Sequence, residues 1–107
     1  MEMGVVMLRI DREISYLPGR AHEAVAQAHR EAEFISENTD VSTPASIFTE
    51  ILGKVNTLHL ILEYESLAAY EASVKRLREH QEWRQLLIDG GSVFVPGSVR
   101  DTATISI

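Results

Sequence analysis

Cysteine is absent from the 107 residues. No disulfide framework therefore staples the fold, and no thiolate is present to act as nucleophile or metal ligand, which suits a reducing cytoplasm. Positive charge is also scarce. Ten Lys and Arg face sixteen Asp and Glu for a formal net charge of −6, and the basic residues are dispersed, so no basic stripe offers a footing for nucleic-acid phosphates. No apolar run approaches the ~18 residues needed to cross a bilayer. The opening Met1-Glu2-Met3-Gly4 lacks a basic leader region, so the expectation is a soluble cytoplasmic protein without a membrane partner. Glycine-rich phosphate cradles are missing as well: there is no G-x-G-x-x-G, no Walker loop and no nucleophile elbow.

What remains is 45% hydrophobic, too apolar for a disordered chain. Residues 1–107 are read as one domain, small enough that pairing with a second copy would help bury apolar surface. Val5 to Ile10 is an apolar run with one charge, Arg9, and reads as a strand. Leu17-Pro18-Gly19 ends it. Ala21, Ala24, Val25, Ala28, Ala32 and Ile35 then recur at helical spacing to about Glu37, and residues 38–44 form a loop by composition. Ile47 to Leu52 and Val55 to Glu63 read as two strands of a hairpin around Gly53-Lys54.

Ser66 is placed to cap a helix with Leu67, Tyr70, Val74 and Leu77 on one face. Trp83, Leu86 and Leu87 make a further stripe that stops at Gly90-Gly91. From Ser98 to Ile107 apolar and polar residues alternate as in an edge strand. The order β-α-β-β-α(α)-β is the split βαβ arrangement of an α+β, ferredoxin-like domain with an antiparallel sheet.

The run HLILEYESLAAYE from His59 to Glu71, followed by Glu82-Trp83-Arg84-Gln85-Leu86-Leu87 and by Phe94 to Ser98, resembles the NIPSNAP-like branch of the dimeric α/β barrel superfamily. The likeness covers roughly His59 to Ser98, with only the topology agreeing before that. It implies a homodimer in which one sheet face packs on its mate to close a barrel, while the other face and the helices enclose a pocket. The superfamily includes cofactor-free monooxygenases of phenolic substrates, polyketide cyclases, haem-degrading oxygenases, isomerases and proteins of no known activity, so the fold does not choose among them.

Alternation puts His59 on one strand face with Val55, Thr57, Ile61 and Glu63, and Leu58, Leu60, Leu62 and Tyr64 on the other. The second face is the cleaner apolar one and suits packing, which leaves the His59 face as the expected pocket wall. On the first strand Arg9 sorts with Met7 and Asp11, so Arg9 and His59 are grouped as the catalytic pair. An imidazole in an apolar wall would titrate low and act as a general base near neutral pH, and Arg9 would hold the resulting oxyanion. Against this stands a histidine that fills space on a backbone partner. Trp83, Tyr64, Phe48, Glu50 and His29 are the expected substrate-binding residues, and four of them have a plainer reading: Trp83 as a core anchor, Tyr64 as structural, Glu50 as solvated, His29 as an exposed helical residue.

Metal and cofactor sites find little support. His22 and His29 have Ala26 between them where a carboxylate would be needed, and no haem signature accompanies His59 or His80. The functional expectation is an enzyme of secondary or catabolic metabolism acting on an aromatic or polyketide-like substrate without metal or flavin, of the cyclase or monooxygenase type. Its alternative is a non-catalytic homodimeric module that binds an apolar ligand or a partner.

Overall fold

The computed structural model describes residues 7–107, so Val5 and Val6 of the expected first strand lie outside the described residues. The elements are β1 (Leu8–Ser15), α1 (Ala21–Asn38), β2 (Ser46–Thr49), β3 (Thr57–Tyr64), α2 (Leu67–Glu79), α3 (Gln81–Gly90) and β4 (Arg100–Ile105). They form a four-stranded sheet of order β2-β3-β1-β4. All three pairings are antiparallel. This is the ferredoxin-like α+β arrangement, and β4 is indeed an edge strand.

Local chemistry explains the joints. Between β1 and α1, Pro18 and Gly19 form a tight turn in which Gly19 takes φ +79 and the Arg20 amide donates to the Leu17 carbonyl at 3.0 Å. Ser66 caps α2, its hydroxyl accepting from the Ala69 amide at 3.1 Å. One expectation fails at the hairpin. Ile51, Leu52 and Val55 belong to no strand and are 89%, 90% and 83% exposed. The chain between β2 and β3 instead runs as a longer loop through two left-handed positions, Gly53 at φ +125 and Asn56 at φ +51, and β-prone side chains cannot form a ladder across such bends.

Leu8, Ile10, Leu58, Leu60, Leu62 and Tyr64 are buried under the helices. They meet Ala32 and Ile35 of α1, Leu77 of α2 and Trp83 of α3. Among the described residues the opposite sheet face carries no helix and is not apolar: its β1 and β3 positions hold Arg9, Asp11, Glu13, His59, Ile61 and Glu63. The leucines of β1 and β3 are consumed by the helices of the same chain, and β1 and β3 are two-faced strands with one polar side.

Candidate functional site

The sheet separates the expected site residues into two groups. On the bare face, His59 and Arg9 do border one concavity of about 380 Å³, together with Asp11, Ser46, Phe48, Ile61 and Glu63. Arg9 lies 3.4 Å from Glu63. His59 sits between carboxylates, with Nδ1 2.8 Å from Asp11 Oδ1 and Nε2 3.4 Å from Glu50 Oε2. Burial alone would lower its pKa, but Asp11 and Glu50 outweigh that and hold it above the ordinary value. The sequence expectation was the reverse, because alternation revealed the leucines beside His59 and not the acids that face it from β1 and the 50–56 loop. Nor is the His59 face the one that packs under helices, since no described helix covers it.

The more apolar cleft lies on the other side, beneath the helices. A cleft of about 280 Å³ runs between the sheet and α2 and α3, walled by Ile35, Leu62, Val74, Leu77, Trp83 and Leu87, with Arg12, Tyr64 and Tyr70 bringing polar atoms to it. A second lobe of about 240 Å³ shares Arg12 and Leu87 with the first and is bordered by Glu31, Phe94 and Pro96. Trp83 is buried and stacks on Phe34 at 5.9 Å, so its expected anchoring role and its place in a ligand wall coexist. Tyr64 meets Tyr70 edge-on at 5.5 Å, and its hydroxyl stands 3.4 Å from Thr39 Oγ1. Phe48 and Glu50 are on the His59 side. His29 is exposed on α1 and borders none of the cavities described here.

Two charged groups in the cleft, Arg12 and Glu31, were not singled out from sequence. Arg12 continues the buried side of β1 after Leu8 and Ile10, and its Nε and Nη2 each donate to Asp101 at 2.8 Å, leaving Nη1 without a protein acceptor among the described residues. Glu31 projects from α1. Burial raises its carboxyl pKa, opposed by a hydrogen bond from Gln27 and by the charges of Arg12 and Arg30. Gln27 is fully buried and also donates to the Leu86 carbonyl at 2.7 Å, tying α1 to α3. Burial raises the Tyr70 pKa as well, so its hydroxyl is neutral. The sequence signal for Arg12 was available in principle, as a charge in phase with Leu8 and Ile10 rather than with Arg9.

Known proteins share this frame. The chain aligns over 100% of its length with a NIPSNAP family protein from Agrobacterium tumefaciens, covering 91% of that chain at 15% identity and a TM-score of 0.81. A second NIPSNAP family protein of the same species, of unknown function, aligns over 94% of this chain and 87% of its own at 16% identity and a TM-score of 0.75. A candidate antibiotic biosynthesis monooxygenase from Chloroflexus aurantiacus aligns over 94% and 93% at 10% identity and a TM-score of 0.65. At these identities the likeness shows the fold alone. None of the curated proteins matches the chain. The NIPSNAP family pattern, however, matches residues 12–101, from the Arg12 that divides the cleft to the Asp101 that holds it, and by that match the chain belongs to the NIPSNAP family.

Proposed function

We propose that the chain handles a flat, apolar small molecule with an acidic hydroxyl or carboxyl group in the helix-side cleft, as an enzyme of the cyclase or cofactor-free monooxygenase kind acting on an aromatic or polyketide-like compound. One observation carries this reading: a mostly apolar cleft of two lobes under the helices, with Arg12 bordering both, Tyr70 bordering one and Glu31 the other. Its two lobes together fall within the ~300–1,000 Å³ of small-molecule sites, which combine apolar walls with few polar groups. The shared fold with a candidate monooxygenase supports the reading without fixing a reaction.

In this scheme Trp83 and Tyr64 line the ring-binding wall. Glu31, whose raised pKa brings it nearer neutrality, accepts the acidic proton of the ligand. Arg12 Nη1 and the neutral Tyr70 hydroxyl then stabilise the anion. That anion adds through carbon to a carbonyl of the same molecule, the new alkoxide taking the proton back from Glu31, or is oxidised by dioxygen, one oxygen atom replacing two hydrogens of a ring carbon as a carbonyl and the other leaving with them as water. The test begins with binding. Trp83 is the only tryptophan, so its fluorescence reports the cleft when polycyclic phenols are titrated in, and oxygen uptake and product spectra then report chemistry. Glu31→Gln should keep binding and lose on the order of 10²–10⁴ in rate. Failure of every polycyclic phenol to perturb Trp83 would remove the reading.

A second copy is proposed for the bare sheet face. The observation behind it is Phe48, which is 58% exposed and stands opposite His59 in the β2–β3 ladder, with exposed Ile51 and Leu52 just beyond β2. A homodimer formed there leaves the helix-side cleft of each chain open.

A further inference from the structure

The bare face holds a cluster that the cleft does not use. Glu13 and His59 are cross-strand partners in the β1–β3 ladder, and Glu50 follows β2 directly. One ligand atom from each of the three lies within 4.8 Å of the others. We propose that His59 Nε2 and the carboxylates of Glu50 and Glu13 bind one divalent transition-metal ion of the zinc type, with Asp11 orienting the histidine.

Four observations converge on this site. Glu50 Oε2 is buried and has no hydrogen-bond partner among the described residues, although it stands 3.4 Å from His59 Nε2. A carboxylate oxygen withdrawn from water, whose facing group is an imidazole nitrogen at ion-pair rather than hydrogen-bond geometry, is a group that a cation satisfies better. The spacing is also apt: two ligand atoms held ~2.0–2.1 Å from a tetrahedral ion stand about 3.4 Å apart. Asp11 Oδ1 lies 2.8 Å from Nδ1, and an ionised carboxylate only accepts, so Nδ1 carries the hydrogen and Nε2 is the nitrogen turned to the ion. This is the carboxylate–histidine arrangement that supports metal-bound imidazoles.

Charge points the same way. Asp11, Glu13 and Glu50 bring three acids to one ring, and the nearby cation Lys54, with Nζ 2.8 Å from Glu13 Oε2, is 58% exposed on its side chain. Such a side chain yields readily to a stronger cation or shares Glu13 with it through the other oxygen. Because His59 borders a concavity of the bare face, an ion has a route in from that face before a second copy covers it, and a coordination position is left for water. The ligands come from β1, β3 and the chain between β2 and β3, so the ion would fasten that loop to the sheet. None of this depends on the cleft being an active site.

The experiment is a calorimetric titration of the full chain, free of any histidine tag and treated with chelator, with Zn²⁺ alone. The expected result is one ion per chain at micromolar affinity or tighter. Glu50→Gln and His59→Ala should each weaken binding about 100-fold or more, and Asp11→Asn by about 10–100-fold. Lys54→Met should tighten it, and His22→Ala, on α1, should leave it unchanged. Glu50 lies outside the strands, so Glu50→Gln keeps the fold and stands as the deciding variant if His59→Ala misfolds. No binding at high micromolar Zn²⁺, or binding that Glu50→Gln leaves intact, overturns the site.

Discussion

Arg12 and Asp101 face each other across the β1–β4 ladder and are joined by two parallel hydrogen bonds of 2.8 Å. The pair clamps an exposed edge strand to the sheet at the place where the cleft divides. Asp101 raises the Arg12 pKa further, by its hydrogen bonds and its charge. The guanidinium is therefore permanently charged, and most of its field is spent on Asp101.

Two effects of Asp101→Asn follow, with opposite signs. Losing a bidentate charged pair that is about one-third exposed should lower unfolding stability by about 1 kcal/mol, measured by urea denaturation. Freed of its counter-charge, Arg12 should bind an anionic cleft ligand more tightly. A variant that is less stable and binds no better would leave Arg12 as a structural residue only.

Glu31 gives the pH dependence. Its pKa is raised in the folded chain above the ordinary 4.5, so the folded state binds the proton more tightly than the unfolded one and stability falls as pH rises from about 4.5 through the folded value. Below that window the carboxyl is protonated in both states and has no effect. The groups facing Glu31 are Gln27 and Arg30 on α1 and Arg12 on β1. Glu31→Gln preserves an acceptor for Gln27 and removes the desolvated charge. It should raise Tm at pH 8 and leave it unchanged at pH 4, by calorimetric scans. An equal shift at both pH values would trace the effect to packing.

Trp83 is both core and cleft wall, and two substitutions separate these roles. Trp83→Ala empties a site against Phe34 and Leu77 and should cost about 3–5 kcal/mol. Trp83→Phe keeps most of the packing and should cost less while weakening ring-bearing ligands. Equal binding by the Phe variant and the parent would place the ligand elsewhere in the cleft.

Much of this frame was legible in the residues. Strict alternation on β3 separated Leu58, Leu60, Leu62 and Tyr64 from His59, Ile61 and Glu63, and Ser66 announced the start of α2. Three things were not legible, for three physical reasons. Alternation divides a strand into faces but does not say which face receives the helices, so the His59 side was taken for the enclosed one. The run around Ile51 and Leu52 has strand-like side chains, yet register depends on backbone turns at Gly53 and Asn56 that side-chain pattern does not encode. Finally, the pairs that define both sites join residues far apart in the chain: Arg12 with Asp101, and His59 with Asp11. A scan of spacing on a single helix, which dismissed His22 and His29 as metal ligands, cannot see ligands brought together by a sheet.

The quaternary prediction turns on Phe48. Leu8, Ile10 and Leu58 are covered within one chain, so the dimer proposed above draws on the bare face, where a charged row of Arg9, Glu63 and Asp11 surrounds a few apolar groups. An exposed aromatic at such a position is the natural anchor, since burying one large apolar side chain contributes about 1.5–3 kcal/mol and the two-fold axis counts it twice. Sedimentation at tens of micromolar should give twice the chain mass. Phe48→Asp places like charges face to face across the axis and should give a monomer whose circular dichroism matches the parent, because the residue supports no helix-side contact. A parent that sediments as one chain, or a Phe48→Asp protein that remains a dimer, would rule out pairing through this face.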